Sequence, residues 1–150
     1  IPISALDSRL IDFDSELIWS VLTDVKASES WWPESLRVKI TKLTSEVVGT
    51  EYKISPKNGR SFQCRIIGVF PPSKMTIEYF GDFITGGGEW TLESRGSKTL
   101  VNYGFNVEAK GLLVVLIGKI ISLSKIHSSL MAELLEYLEA ECRRRTSSLQ

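Results

Sequence analysis

The sequence holds one histidine and two cysteines in 150 residues. An ordinary zinc site draws three or four ligands from such residues. Cys64 and Cys142 are too few for a disulfide framework and not spaced for metal. No metal and no cofactor is therefore expected, and no Ser-His-Asp or Cys-His relay can be built around a lone histidine without a motif. An excess of either charge is also missing, since 18 basic residues balance 18 acidic ones. Phosphate recognition needs a basic surplus or stripe, so nucleic acid is not an expected partner. The only basic run, Arg143-Arg144-Arg145, suits the C-terminal end of a helix. No apolar run reaches the ~18 residues that span a membrane. Leu112–Leu123 is too short and is broken by Gly118, Lys119 and Ser122. No signal peptide is visible. Together with the scarce cysteine this points to a cytoplasmic location, although the chain begins at Ile1 rather than Met and an upstream segment stays open. Repeats and low-complexity stretches are absent. Residues 1–150 read as a single domain, long enough to bury a core.

What is present is a long amphipathic segment from Gly111 to about Arg144. Leu113, Leu116, Ile117, Ile120, Ser124, His127, Met131, Leu134 and Leu138 recur at helical spacing and share a face. The segment predicts one helix of about 50 Å, which needs a broad apolar partner. The preceding chain supplies it as strands. A first strand spans Ser4–Phe13. Asp14 is suited to cap a short helix through Leu17, Ile18, Val21 and Leu22. A second short helix or turn, Ala27–Trp32, is stopped by Pro33. Strand-like runs follow at Leu36–Thr44, Glu51–Ser55, Ser61–Phe70, Lys74–Phe80, Phe83–Glu93 and Lys98–Glu108, separated by Pro- and Gly-containing turns. Short connections imply antiparallel pairing, with one face buried and one wet. Phe62, Cys64 and Ile66 share a face, as do Met75, Ile77 and Tyr79, and Val101, Tyr103, Phe105 and Val107. The fold class is α+β: a curved antiparallel sheet of about seven strands with one long terminal helix.

This order carries local words that resemble the START-like helix-grip superfamily, nearest to its polyketide cyclase/dehydrase and lipid-transport members. The words are Asp14-Ser15-Glu16 before Ile18-Trp19, Leu22 and Asp24; Trp31-Trp32-Pro33; Val48-Gly49; Pro71-Pro72; Gly88-Glu89-Trp90; and Lys98-Thr99. The resemblance implies a sheet that grips the terminal helix, with a deep apolar cavity between them. Lipids, sterols, polyketides or quinones are the ligand classes it implies. The superfamily includes binders, transporters and enzymes, so the fold does not choose among them.

Two readings stand for His127: a cavity group that binds or protonates a ligand oxygen, or a core histidine bonded to a strand or a tyrosine. Tyr79 and Tyr103 either orient a ligand or fill the core. Gly86-Gly87-Gly88 leads into a strand and is followed by no lysine-serine pair, so it is no phosphate loop. If Trp90 and Leu92 face inward, Gly86 and Gly88 do too, and the missing side chains would enlarge a cavity. One of Trp31 and Trp32 packs in the core and the other is available to a ligand or a membrane surface. The expected ligand contacts are Trp32, Phe62, Ile66, Met75, Ile77, Tyr79, Gly88, Trp90, Tyr103, Phe105, Leu116, Ile120, His127 and Met131. The expected function is binding or carriage of a small hydrophobic ligand. A cyclase or dehydratase using His127 with Tyr79 or Tyr103 is the alternative, and a co-chaperone-like interaction module a third.

Overall fold

The structure is a computed structural model that describes residues 2–57, 59–109 and 117–148, with side chains from 128 onward in the last segment. The elements are β1 (Pro2–Ile11), α1 (Ser15–Thr23), α2 (Ser28–Trp31), β2 (Leu36–Lys42), β3 (Glu51–Pro56), β4 (Phe62–Phe70), β5 (Lys74–Phe80), β6 (Ile84–Arg95), β7 (Lys98–Ala109) and α3 (Ile117–Ser148). One turn of 3-10 helix, Val25–Ala27, joins α1 to α2. The architecture is the α+β arrangement expected: one seven-stranded, curved antiparallel sheet, two short helices after the first strand, and a long terminal helix.

The sheet order is β1-β7-β6-β5-β4-β3-β2. Strands β2 to β7 form a meander, and the first strand returns to pair with the last, Pro2 opposite Glu108 through Ile11 opposite Thr99. The chain leaves β1 at one edge and must reach β2 at the other. The short helices make that crossing. Asp14 starts it by accepting from the Leu17 N–H at 2.8 Å, which satisfies one of the free donors of the first turn. Register shifts at Ile40/Lys42 and Ile66/Gly68 add bulges that bend the sheet.

Helix α3 packs against β1, α1 and α2. Met131, Leu134, Leu135, Leu138 and Cys142 are buried on that face. Charged groups fix its C-terminal half. Glu139 accepts from Arg9 Nε at 2.9 Å and from the Asp12 N–H at 3.0 Å. Glu141 accepts from Arg144 and Arg145, and Arg145 also reaches Asp24 at 3.2 Å. The basic run therefore ties the helix end to α1 as well as facing solvent.

β1 exposes two leucines and half-buries two charged residues. Its apolar Leu6 and Leu10 stand outside, 70% and 50% exposed, while Ile3, Ala5, Asp7, Arg9 and Ile11 alternate on the side of α3. The reason is register. Ile11 is the strand residue that reaches the core beside α1, and a period of two then places Asp7 and Arg9 under the helix.

Candidate functional site

The site is built on the inner face of the sheet by alternation. Tyr52 and Ile54 come from β3, Cys64 and Ile66 from β4, Met75, Ile77 and Tyr79 from β5, Gly88, Trp90 and Leu92 from β6, and Val101, Tyr103, Phe105 and Val107 from β7. The expected inner-face sets of β5 and β7 are all buried there. Trp31 and Trp32 approach from α2, and Met131 and Leu134 from α3.

The aromatic side chains form a continuous layer. Trp31 and Trp32 lie 6.1 Å apart between ring centroids, Trp32 and Tyr52 6.3 Å, Phe62 and Tyr79 5.7 Å, and Trp90 and Tyr103 4.9 Å. All four pairs are tilted or edge-on, the arrangement that ring quadrupoles favour. The Tyr79 and Tyr103 hydroxyls are hydrogen-bonded to each other. They come from strands separated by β6 and meet above Gly88. Tyr79 is opposite Gly86, Tyr103 is opposite Trp90, and Gly88 lies between. A Cβ at position 88 would stand 2.2 Å from Tyr103 Oη and 3.0 Å from Tyr79 Cε2. The room that glycine leaves on the inner face is thus taken up by the phenol pair.

Burial pushes the Tyr79, Tyr103 and Tyr52 phenols well above their ordinary range, and each is raised further by a neighbouring phenol or the Cys64 thiol. Burial likewise pushes the Cys64 thiol up, opposed in part by a hydrogen bond from Tyr52. These groups stay protonated at neutral pH. They are hydrogen-bond donors and acceptors, not bases.

Around this layer are two small hollows. One, about 30 Å³, is walled by Leu22, Val25, Ser28, Trp31, Trp32, Val38, Tyr52, Ile66, Met75 and Trp90. The other, about 20 Å³, is walled by Trp32, Leu36, Tyr52, Ile54, Phe62, Tyr79, Trp90, Tyr103, Met131 and Leu134. Each has room for about one water. They share Trp32, Tyr52 and Trp90, so those three rings form the partition between them. A larger open groove, about 480 Å³, crosses the opposite face of the sheet, where Leu6, Thr76, Gly87, Glu89, Asn102 and Gly104 line it.

Of the residues singled out in the sequence, Trp32, Phe62, Ile66, Met75, Tyr79, Trp90, Tyr103 and Met131 line the hollows. Ile77 and Phe105 are buried on the same face. Leu116 and the side chains of Ile120 and His127 lie outside the described residues. No cluster of metal-ligating side chains occurs among the described residues, and none of their helices is long and apolar enough to cross a membrane.

Four polar groups escaped sequence reasoning. Tyr52 and Cys64 pair inside the layer. Asp7 faces Ser128 of α3, and burial pushes its carboxyl up while the Ser128 hydrogen bond opposes that. The Trp31 Nε1 is buried without a hydrogen-bond partner among the described residues. Only the alternation through Ile3, Ala5 and Ile11 could have placed Asp7 inside, and no sequence signal distinguishes Trp31 from Trp32.

Solved structures share this fold. The di-domain aromatase/cyclase StfQ from the steffimycin biosynthetic pathway superposes with a TM-score of 0.76 at 10% identity, covering 97% of this chain and 52% of that one. The chain therefore spans about half the length of that protein. The Zhui aromatase/cyclase from Streptomyces sp. R1128 gives 0.70 at 15% identity, covering 97% and 96%. Norcoclaurine synthase from Thalictrum flavum, in complex with dopamine and hydroxybenzaldehyde, gives 0.70 at 11% identity, covering 96% and 88%. At such identities the likeness establishes the fold. No curated protein matches by sequence. The sequence profile described as "Polyketide cyclase / dehydrase and lipid transport" matches residues 3–141, and the chain belongs to that family of the START-like helix-grip superfamily.

Proposed function

We propose that the protein binds and carries a small apolar ligand with an aromatic or polyketide-like body, held between the inner face of the sheet and α3. The observation that supports this most directly is the aromatic layer with a hollow on each side of the Trp32–Tyr52–Trp90 partition. Binding sites for such ligands are apolar with a few oriented polar groups, and the phenols, thiol and indole N–H supply those groups. The hollows hold about 30 and 20 Å³, so a ligand is accommodated by displacing the partition. Trp32 is only partly buried and lines both hollows, which makes it the ring to move. Burial of the ligand's apolar surface contributes about 25 cal/mol per Å².

No carboxylate or ammonium group of the described residues lines either hollow. That favours carriage over acid–base turnover. The phenol pair supports a second reading, a cyclase or dehydratase in which Tyr79 and Tyr103 donate to a developing oxyanion. Conversion of a poly-β-ketone mimic that is lost in Tyr103→Phe would favour it.

The test of interior binding uses indane, a small apolar bicycle, followed by methyl NMR. Shifts clustered at Ile66, Met75, Ile77 and Leu134 are expected. Shifts confined to Leu6 and Thr76 would place binding in the outer groove and overturn the reading.

A further inference from the structure

We propose that the Trp31 indole N–H is a ligand-binding group, the donor for an oxygen acceptor, such as a ketone or ether oxygen, carried on the ligand's apolar body. This rests on the interior-binding reading above. Trp31 ends α2 and is only 7% exposed, and its Nε1 is buried with no hydrogen-bond partner among the described residues. A donor in apolar surroundings without a partner is costly, and native proteins keep few of them.

The place of this donor gives it meaning. Trp31 is on the wall of the larger hollow with Ser28, Trp32, Tyr52 and Trp90. The hydroxyl groups of that wall are engaged. Ser28 Oγ donates to the Val25 carbonyl at 2.5 Å, and the Tyr52 hydroxyl is bonded to the Cys64 thiol. In the second hollow the Tyr79 and Tyr103 hydroxyls bond each other. Among the described residues that wall the two hollows, Trp31 Nε1 is thus the fully buried side-chain nitrogen or oxygen that has no hydrogen-bond partner. Its dehydration is already met in the free protein. A ligand that brings an oxygen to it gains a hydrogen bond without that cost, while a hydrocarbon of the same shape gains apolar burial alone. Selection for an oxygenated end follows from this difference.

The competing account is structural. The Trp32 ring lies 6.1 Å away, tilted by 58°, and its π face could take the N–H as a weak acceptor.

Indane and 1-indanone decide between them, because they differ by one carbonyl. Two readouts are used: the indole proton resonances of the ¹⁵N-labelled protein, and affinities for the wild type and Trp31→Phe, which keeps a ring and deletes the donor. The expected result is a Trp31 indole proton that moves downfield with 1-indanone and not with indane. In Trp31→Phe the preference for 1-indanone over indane, as the ratio of their affinities, should fall by roughly 2- to 12-fold. If both ligands bind and Trp31→Phe alters their affinities equally or not at all, the proposal is overturned and interior binding stands. A Trp31 resonance indifferent to 1-indanone overturns it as well, and this readout needs only the wild type should the variant fail to fold. If neither ligand binds, interior binding fails and the proposal falls with it.

Discussion

Three consecutive glycines in β6 face three different neighbourhoods, and adding one methyl to each in turn measures the phenol pair directly. At Gly88 the new Cβ would lie 2.2 Å from Tyr103 Oη, 2.9 Å from Tyr103 Cζ and 3.0 Å from Tyr79 Cε2. The nearest atom is the far end of a side chain, which in open surroundings would swing aside at little cost. Here the ring is buried, with the Trp90 ring centroid 4.9 Å away and Tyr79 ahead of it. Overpacking of this kind costs about 1–3 kcal/mol. Parting the two hydroxyls adds about 1 kcal/mol for a lost buried hydrogen bond. The lower chain entropy of alanine returns about 0.4–1 kcal/mol. Gly88→Ala should therefore lose about 1–3.5 kcal/mol, or roughly 2–14 °C of melting temperature for a domain of this size. Gly86→Ala should lose more. Its φ is +140°, and its Cβ would meet backbone atoms, Asn106 O at 2.3 Å and Val107 Cα at 2.7 Å, which cannot rotate away. Gly87→Ala is the control. Its Cβ points outward, 3.5 Å from the Ile77 carbonyl oxygen, and should be neutral or slightly stabilising. Thermal melts and denaturant titrations give the order. Tyr103→Phe supplies the second leg of a double-mutant cycle. It deletes the atom nearest the new methyl, so Gly88→Ala should cost less in that background. A Gly88→Ala variant that melts with the wild type, or equal costs in both backgrounds, would refute the meeting of the phenols above Gly88.

Two further predictions concern pH. Burial pushes the Glu139 carboxyl up, but hydrogen bonds from Asp12 and Arg9 and the charges of Arg9 and Arg143 outweigh it and hold the group below the usual carboxylate range. The Arg144 hydrogen bond, opposed by burial and helped by Arg145, does the same for Glu141. Folded values below unfolded ones mean that this stability is complete above about pH 4.5 and is lost as pH falls through the folded values. Glu139→Gln should cost roughly 1–3 kcal/mol at pH 7, toward the lower end because Arg9 is partly exposed. Its melting temperature should fall less steeply than the wild type's between pH 5 and 3, on the order of the window set by these carboxylates; parallel curves would contradict the assignment. At the alkaline end the sign reverses. Tyr52, Tyr79 and Tyr103 have folded values above their unfolded ones, so the stability they confer is present below about pH 10 and declines as pH rises beyond it. Their phenolate absorbance should appear together with loss of the circular dichroism signal. Phenolate formation by all three in a still-folded protein would show that they are not sealed from water.

The local order of the chain was legible because it rests on short-range physics. Asp14 caps α1 through its own side chain, Pro33 ends the α2 region, and period-two burial in β5 and β7 marks their inner faces with Met75, Ile77 and Tyr79, and with Tyr103, Phe105 and Val107. Helical spacing likewise marked Met131, Leu134 and Leu138 for burial. The resemblance in residue words led to the right family for the same reason, since caps, turns and alternation set the order of elements. Register and crossing geometry lay beyond the sequence. Alternation in β1 reads equally well with Leu6 and Leu10 or with Asp7 and Arg9 inside. The pairing with β7 and the cover of α3 chose the charged pair, because Arg9 meets Glu139 there. Gly88 reads as empty space until Tyr79 and Tyr103, 24 residues apart and on strands flanking β6, converge over it. Trp31 and Trp32 are adjacent and chemically identical in sequence, yet one has a buried N–H without a partner among the described residues and the other helps form the partition between two hollows. Each of these outcomes depends on which side chains from distant segments arrive at the same few cubic ångströms, and that is fixed only when the sheet curves and the helix closes on it.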